Sequence, residues 1–347
     1  MARPLLGHLD PLFIELLDEV KGRLRTVFGT ANPFTLPLSA TGSAGMEACL
    51  VNLLERGDEI VVGVNGVFGG RMCDVAARAG AKVERVDAPF GEPLDIAAMA
   101  EAIRRVRPKV VAFVHAETST GVLQSVPEIA AVAAEVGSLL VLDCVTSLAG
   151  VPVSLDEWGV DAAYSGTQKC LSCPPSLSPV SFSDRAIEHV RKRKTPVQSW
   201  YFDVSLLAGY YEGEKRVYHH TAPISSIYGL SAGLALVEEE GLNAREKRHR
   251  EAATALIAGV EPLGFKPLVA AEHRLPMLTS LVLPENVLAH GEANLRSALL
   301  NNHNIEVGAG LGALAGKIWR VGLMGENART ESVDRLVEAL RCELAPH

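Results

Sequence analysis

The chain has 347 residues, more than one typical domain holds, so two domains are expected. Hydrophobic residues at 48% and charged residues at 21% suffice for a large core and exclude a disordered chain. A net charge of -8 with scattered Lys and Arg argues against a nucleic-acid surface, and the short run Arg191-Lys192-Arg193-Lys194 reads as a solvated helix end.

Along the chain, the small-residue turn Ser39-Ala40-Thr41-Gly42-Ser43-Ala44-Gly45 leads into a helical pattern that runs to residue 54 and closes at Gly57-Asp58. A β-branched strand over 59–63 follows, then a helix over 69–79, a strand over 82–86 and a helix over 96–106. Pro108 separates that helix from a strand over 110–115, and a helix over 127–136 precedes a strand over 139–143. Such alternation predicts a mostly parallel sheet covered on both faces. Another helix spans 226–240 and is stopped by Gly241. Beyond it, a charged helix from residue 243 and short strands around 278–283 and 318–323 predict a smaller α+β domain. The expected division is therefore a large domain over 1–242 and a small one over 243–347.

No segment has the uninterrupted apolar length of a membrane span, because Glu135 and Asp143 break the best candidate. The start of the chain lacks a signal-peptide pattern, and a cytoplasmic protein is expected. Six cysteines over this length give no disulfide framework. Cys170-Leu171-Ser172-Cys173 has C-x-x-C spacing, but a zinc site needs a second pair at compatible spacing, so no metal is expected.

Open α/β sheets bind ligands at the carboxyl ends of their strands, and the chemically informative residues fall there. The free N–H groups and dipole of a helix starting at Thr41, Gly42 and Ser43 favour a phosphate; a simple N-cap is the ordinary alternative. Phe68, among the glycines of Asn65-Gly66-Val67-Phe68-Gly69-Gly70, can stack on a flat ligand or pack in the core. The loop His115-Ala116-Glu117-Thr118-Ser119-Thr120-Gly121 follows a strand and carries polar side chains able to reach a ring. Leu139-Leu140-Val141-Leu142-Asp143 ends on a lone acid, which is costly there unless paired. Downstream, Tyr164-Ser165-Gly166-Thr167-Gln168-Lys169 sets a lysine after a small polar turn. A fixed lysine and a buried aspartate are the pairing that pyridoxal phosphate chemistry requires. The lysine holds the cofactor aldehyde as a Schiff base, and the aspartate keeps the pyridine nitrogen protonated so that the ring draws electrons. A helix or strand cap is the other role open to Asp143.

The assembled pattern resembles the class V aminotransferases of fold type I, and within them the alanine/serine–glyoxylate aminotransferase family. The resemblance extends over nearly the whole chain. It rests on Ser165-Gly166-Thr167-Gln168-Lys169, Leu142-Asp143-Cys144-Val145-Thr146-Ser147, Glu117-Thr118-Ser119-Thr120-Gly121, Tyr218-His219-His220-Thr221 and Lys317-Ile318-Trp319-Arg320-Val321-Gly322. It implies a large α/β/α domain around a mostly parallel sheet, a smaller C-terminal α+β domain and pyridoxal 5'-phosphate as cofactor. By the same resemblance Thr41, Gly42 and Ser43 hold the cofactor phosphate, Phe68 stacks on the ring, and Asp143 and Val145 lie under it. Thr118 and Gln168 make polar contacts, Lys169 carries the cofactor and acts as general base, and Arg320 grips the substrate α-carboxylate through its planar fork. Tyr218 and Thr221 reach the phosphate of the neighbouring subunit, which implies a homodimer with shared sites; a polar loop within its own subunit is their other reading. The implied reaction moves an amino group from alanine or serine to glyoxylate by ping-pong kinetics, with small amino acids and 2-oxo acids as partners and neither nucleic acid nor membrane.

Two departures accompany the resemblance. Family members usually carry a glycine- and proline-rich segment ahead of the helix that here begins near residue 10. The sequence starts after it, so a concentration-dependent dimer is expected. Ser176, in Pro174-Pro175-Ser176, replaces a common glycine, and a need for positive φ there predicts a rearranged or strained loop. Three rivals remain. A pyridoxamine–pyruvate aminotransferase shares the scaffold but must accept the unphosphorylated vitamin. A cysteine desulfurase typically has histidine where Gln168 and Phe68 stand, and Cys342 fits its mobile nucleophile poorly. A cofactor-binding regulator without turnover lacks an attached DNA-binding domain or basic face.

Overall fold

The computed structural model describes residues 4–213 and 216–345. Its large sheet is built from β1 (Phe34–Leu38), β2 (Glu59–Val64), β3 (Lys82–Asp87) and β4 (Val110–Val114), then, past a short hairpin of β5 (Ala116–Glu117) and β6 (Val122–Leu123), from β7 (Leu139–Asp143), β8 (Ala162–Tyr164) and β9 (Ser178–Phe182). The spatial order is β1-β9-β8-β7-β4-β2-β3. Neighbours among β2, β3, β4, β7 and β8 are parallel, whereas β9 runs antiparallel to both β8 and β1. β1 therefore points the same way as the parallel set. Every residue of β4 and β7 is buried, which is why these strands read as continuous apolar runs. β3, at the edge, is only partly covered and carries Lys82, Glu84 and Arg85, charges suited to an open edge.

Helices α1 (Pro11–Phe28), α2 (Gly42–Leu53), α3 (Val67–Arg78), α4 (Ile96–Val106) and α5 (Pro127–Val136) lie among these strands in chain order. α3 begins two residues before the expected position, which moves Phe68 from the loop into its first turn. Ser183 caps the helix Asp184–Arg191 by accepting from Ala186 N–H, and the basic run beyond it is not merely solvated. Arg193 donates to the carbonyls of Asn52 and Leu54 at 2.8 Å each and so closes the C-terminal end of α2.

The chain leaves the large sheet through the helix Ile224–Glu240, turns at Gly241, whose φ of 80° suits glycine, and enters the helix Leu242–Val260. A second sheet follows, formed by β10 (Lys266–Pro267), β11 (Leu278–Val282), β12 (Gly308–Ala309) and β13 (Ile318–Gly322) in the order β10-β11-β13-β12, all antiparallel. The buried apolar residues form two main clusters. One surrounds the large sheet; the other gathers Leu256, Phe265, Leu281, Trp319 and Leu336 around the second sheet. Leu275, Met277 and Leu278 belong to the first cluster and join the two parts. Among the described residues no helix is long and apolar enough to cross a membrane.

Candidate active site

Because β1, β2, β4, β7 and β8 share a direction, the segments that leave their carboxyl ends meet along one edge of the sheet. A cavity of about 200 Å³ opens there. Gly42, Ser43, Phe68, Thr118, Asp143, Val145, Gln168 and Lys169, expected as one site, all line it.

Asp143 sits at the floor with 3% of its surface exposed. Its Oδ1 accepts from the Val145 N–H at 2.7 Å and its Oδ2 from the Tyr164 hydroxyl at 2.8 Å. The bond to Val145 is the local cap that sequence allowed, and the same carboxylate lines the cavity. Burial pushes the carboxyl up to about 7, against the pull of these donors and of Lys169. An acid so placed gains most from a permanent cationic partner.

Lys169 is half-buried and lines the same cavity, past the turn that follows β8. Burial first, then the nearby Arg320 cation, hold its ammonium below the ordinary lysine range, which favours the neutral amine that nucleophilic and base chemistry need. Arg320 does not line the cavity itself. It projects from β13, where its Nε donates to the Ala309 carbonyl at 2.8 Å and its Nη1 to the Thr118 carbonyl at 3.2 Å. The second sheet thus brings its guanidinium to the loop after β4.

The first turn of α2 closes one end. Thr41 is its N-cap, with an extended backbone and no side-chain cap bond. A Cβ on Gly42 would lie 3.2 Å from Val145 Cγ2 and 3.3 Å from the Ser165 carbonyl oxygen, and one on Gly45 would lie 2.1 Å from Ser178 Oγ. Only glycine lets the helix start press this closely onto the ends of the strands. Gly42 and Ser43 of that turn line the cavity, and the free N–H groups of a helix start suit an anion. Amine, buried carboxylate, aromatic wall and anion cradle are the groups pyridoxal 5'-phosphate needs, so the residues present fit it.

Tyr218 and Thr221 are exposed and stand outside the cavity. The Tyr218 ring contacts His8 at 5.3 Å between centroids, while His220 Nε2 lies 2.7 Å from Ser39 Oγ, two residues before Thr41. Cys170 and Cys173 are buried, with each thiol against a backbone carbonyl, as packing residues are. Ser176 is not among the left-handed residues. The strained position in that loop is Ser172, with φ 55°, whose Oγ accepts from the Glu326 N–H at 2.9 Å.

Glu117, Tyr164 and Arg71 were missed as site residues. Glu117 is fully buried, and its Oε2 accepts from the N–H groups of Phe68 at 3.1 Å and Gly69 at 3.4 Å. Its Oε1 accepts from the Ser119 N–H and hydroxyl, and Ser119 Oγ in turn accepts from the Val67 N–H at 2.9 Å. The loop after β4 thus caps α3 and fixes Phe68. Burial raises the Glu117 carboxyl despite these donors. Their sequence signals were slight: Glu117 and Tyr164 lie inside quoted motifs, whereas Arg71 reads as an ordinary helix-surface charge.

A family model described as Aminotransferase class-V matches residues 5–336. The fold superposes with a TM-score of 0.96 on an alanine–glyoxylate aminotransferase from Nostoc sp., 48% identical, covering 99% of this chain and 90% of that one. It superposes equally, at 0.96, on ureidoglycine–glyoxylate aminotransferase from Bacillus subtilis, 35% identical, over 99% and 88% of the two chains. Pyridoxamine–pyruvate aminotransferase from Mesorhizobium loti gives 0.91 at 25% identity, over 97% and 86%.

Proposed function

Since the chain belongs to the class V aminotransferases, which work with pyridoxal phosphate, we propose that it transfers the amino group of alanine or serine to glyoxylate by ping-pong turnover. One observation carries this reading: Lys169 and the buried Asp143 line a single cavity, with α2 beginning at its end. Two of the three similar structures are named for glyoxylate, with different donors, which supports the acceptor more than the donor.

Bound pyridoxal phosphate supplies an electron sink and the carbon that accepts the amino group. Asp143 keeps a proton at the pyridine nitrogen. Lys169, whose ammonium is disfavoured by burial and by Arg320, takes and returns the substrate Cα proton at its Nζ. Arg320 orients the α-carboxylate with the guanidinium hydrogens not spent on Ala309 and Thr118. Thr41, Gly42 and Ser43 hold the phosphate, Phe68 and Val145 cover the ring, and Thr118 and Gln168 make polar contacts to it.

A homodimer with Tyr218 and Thr221 entering the partner's site, a large domain over 1–242 and a small one over 243–347 belong to the same reading, as does a cytoplasmic location. The two apolar clusters support the division, and six free cysteines suit a reducing compartment. Cys342 lies on the helix Thr330–Glu343 rather than in a loop, which speaks against a desulfurase. A half-reaction screen tests the function. Alanine or serine alone should change the absorbance of the bound cofactor, and glyoxylate should restore it. Pyridoxamine with pyruvate cycling the protein, while alanine, serine and glyoxylate do not, would select the vitamin-handling alternative.

A further inference from the structure

Arg71 projects from α3, one turn beyond Phe68, and lines the same cavity as Gly42 and Ser43. Its guanidinium carbon stands 4.9 Å from the centroid of the Phe68 ring, and its Nη1 donates to Ser43 Oγ at 3.2 Å. The side chain therefore reaches from the aromatic wall to the first turn of α2. Arg78, on the same helix, is paired with Asp74 at 2.9 Å; among the described residues no carboxylate pairs with Arg71.

A phosphate monoester carries about 1.5 to 2 negative charges at neutral pH, whereas a helix N-terminus offers roughly half a positive charge. The remainder needs a cation. Among the described residues two cations line the cavity, Arg71 and Lys169. Lys169 is, on the proposed function, committed to the reacting end of the cofactor, and Arg320 is engaged with two carbonyls. We propose that Arg71 is a ligand of the cofactor phosphate, and the group by which this site distinguishes phosphorylated from unphosphorylated pyridoxal. The assignment rests on the reading that α2 holds that phosphate. A guanidinium suits the role because it grips two phosphate oxygens while its flat face remains on Phe68.

Binding of pyridoxal phosphate and of pyridoxal to cofactor-stripped full-length protein separates the possibilities. Arg71→Gln should weaken pyridoxal phosphate by about tenfold to a hundredfold, the range for a hydrogen bond to a charged group, and leave pyridoxal unchanged. Arg71→Lys should restore part of the loss, and inorganic phosphate should compete less well in Arg71→Gln than in wild type. Arg71 is exposed, so a normal melting curve is expected for both variants. Equal weakening of both ligands would reduce Arg71 to a support for the Phe68 ring and overturn the proposal, as would an unaltered preference in Arg71→Gln. A wild-type protein that binds both ligands equally would remove the phosphate reading of α2 itself, a different failure from an unaltered variant.

Discussion

At Asp143, one side chain must be buried to reach the ring and charged to act on it. Its surroundings include Tyr164 on β8, Glu117 on β5, Lys169, and the thiols of Cys49 and Cys144, which burial keeps protonated. In cofactor-free protein the folded state retains a proton that the unfolded chain releases between the ordinary aspartate value and about 7. The folded state binds more protons in that window, so stability falls as pH rises through it. Asp143→Asn removes this term: between pH 5 and pH 8 the cofactor-free variant should lose less stability than wild type. Turnover should drop about a hundredfold or more, because a neutral amide cannot hold the pyridinium proton. Melts at the two pH values, with rates, check both halves; parallel wild-type and variant melts would remove the buried-charge argument, and near-normal rates the catalytic one. Arg320 acts on the substrate instead. Arg320→Lys gives up the planar fork and should raise KM for amino acids and glyoxylate by about tenfold or more, with cofactor affinity unchanged. Loss of cofactor with unchanged KM would reverse that assignment.

Secondary-structure elements deliver these residues, and what sequence foretold of them depends on how local the cause was. The βα alternation from β2 to β7 was readable because β2, β4 and β7 are short apolar runs closed by turn signals, and β3 sets valines among charges. β1 and β9 were hidden by Pro37 and Pro179, residues that argue against strands; they face each other in the antiparallel register. β8 has only three residues, too few for any period to show. The same distinction separates the site residues. Lys169 and Asp143 stood out as polar groups in apolar settings, whereas Glu117 acquires its role from Phe68, 49 residues away. Glu117→Ala would leave three backbone donors of the capped loop and helix start without their acceptor. A stability loss of about 1–3 kcal/mol is expected, together with weaker cofactor binding as Phe68 loses its fixed position. A fall in melting temperature with cofactor affinity intact would leave Glu117 a structural residue only.

For the whole molecule, the open question is where one site ends and the next begins. Leu5, Trp200, Val217 and Tyr218 are each at least 60% exposed, apolar side chains that a subunit contact would cover. Trp200 stacks on His219 at 4.4 Å and His8 meets Tyr218, so Trp200 borders the same segment that carries Tyr218. In the homodimer proposed above, a second copy covers these side chains and carries Tyr218 and Thr221 toward the other cavity. Against that stands the bond from His220 to Ser39, which ties the segment beside the α2 of its own chain. Subunit mixing decides. Lys169→Ala protein should be inactive, and Tyr218→Phe/Thr221→Ala protein should hold the cofactor poorly. If each site takes its lysine from one chain and the tyrosine and threonine from the other, a mixed dimer has one site with both defects and one with neither. Random exchange then makes half the dimers mixed with one intact site in two, so about a quarter of wild-type activity should return. Mixing with exchange verified by mass and no recovered activity would assign Tyr218 and Thr221 to their own subunit.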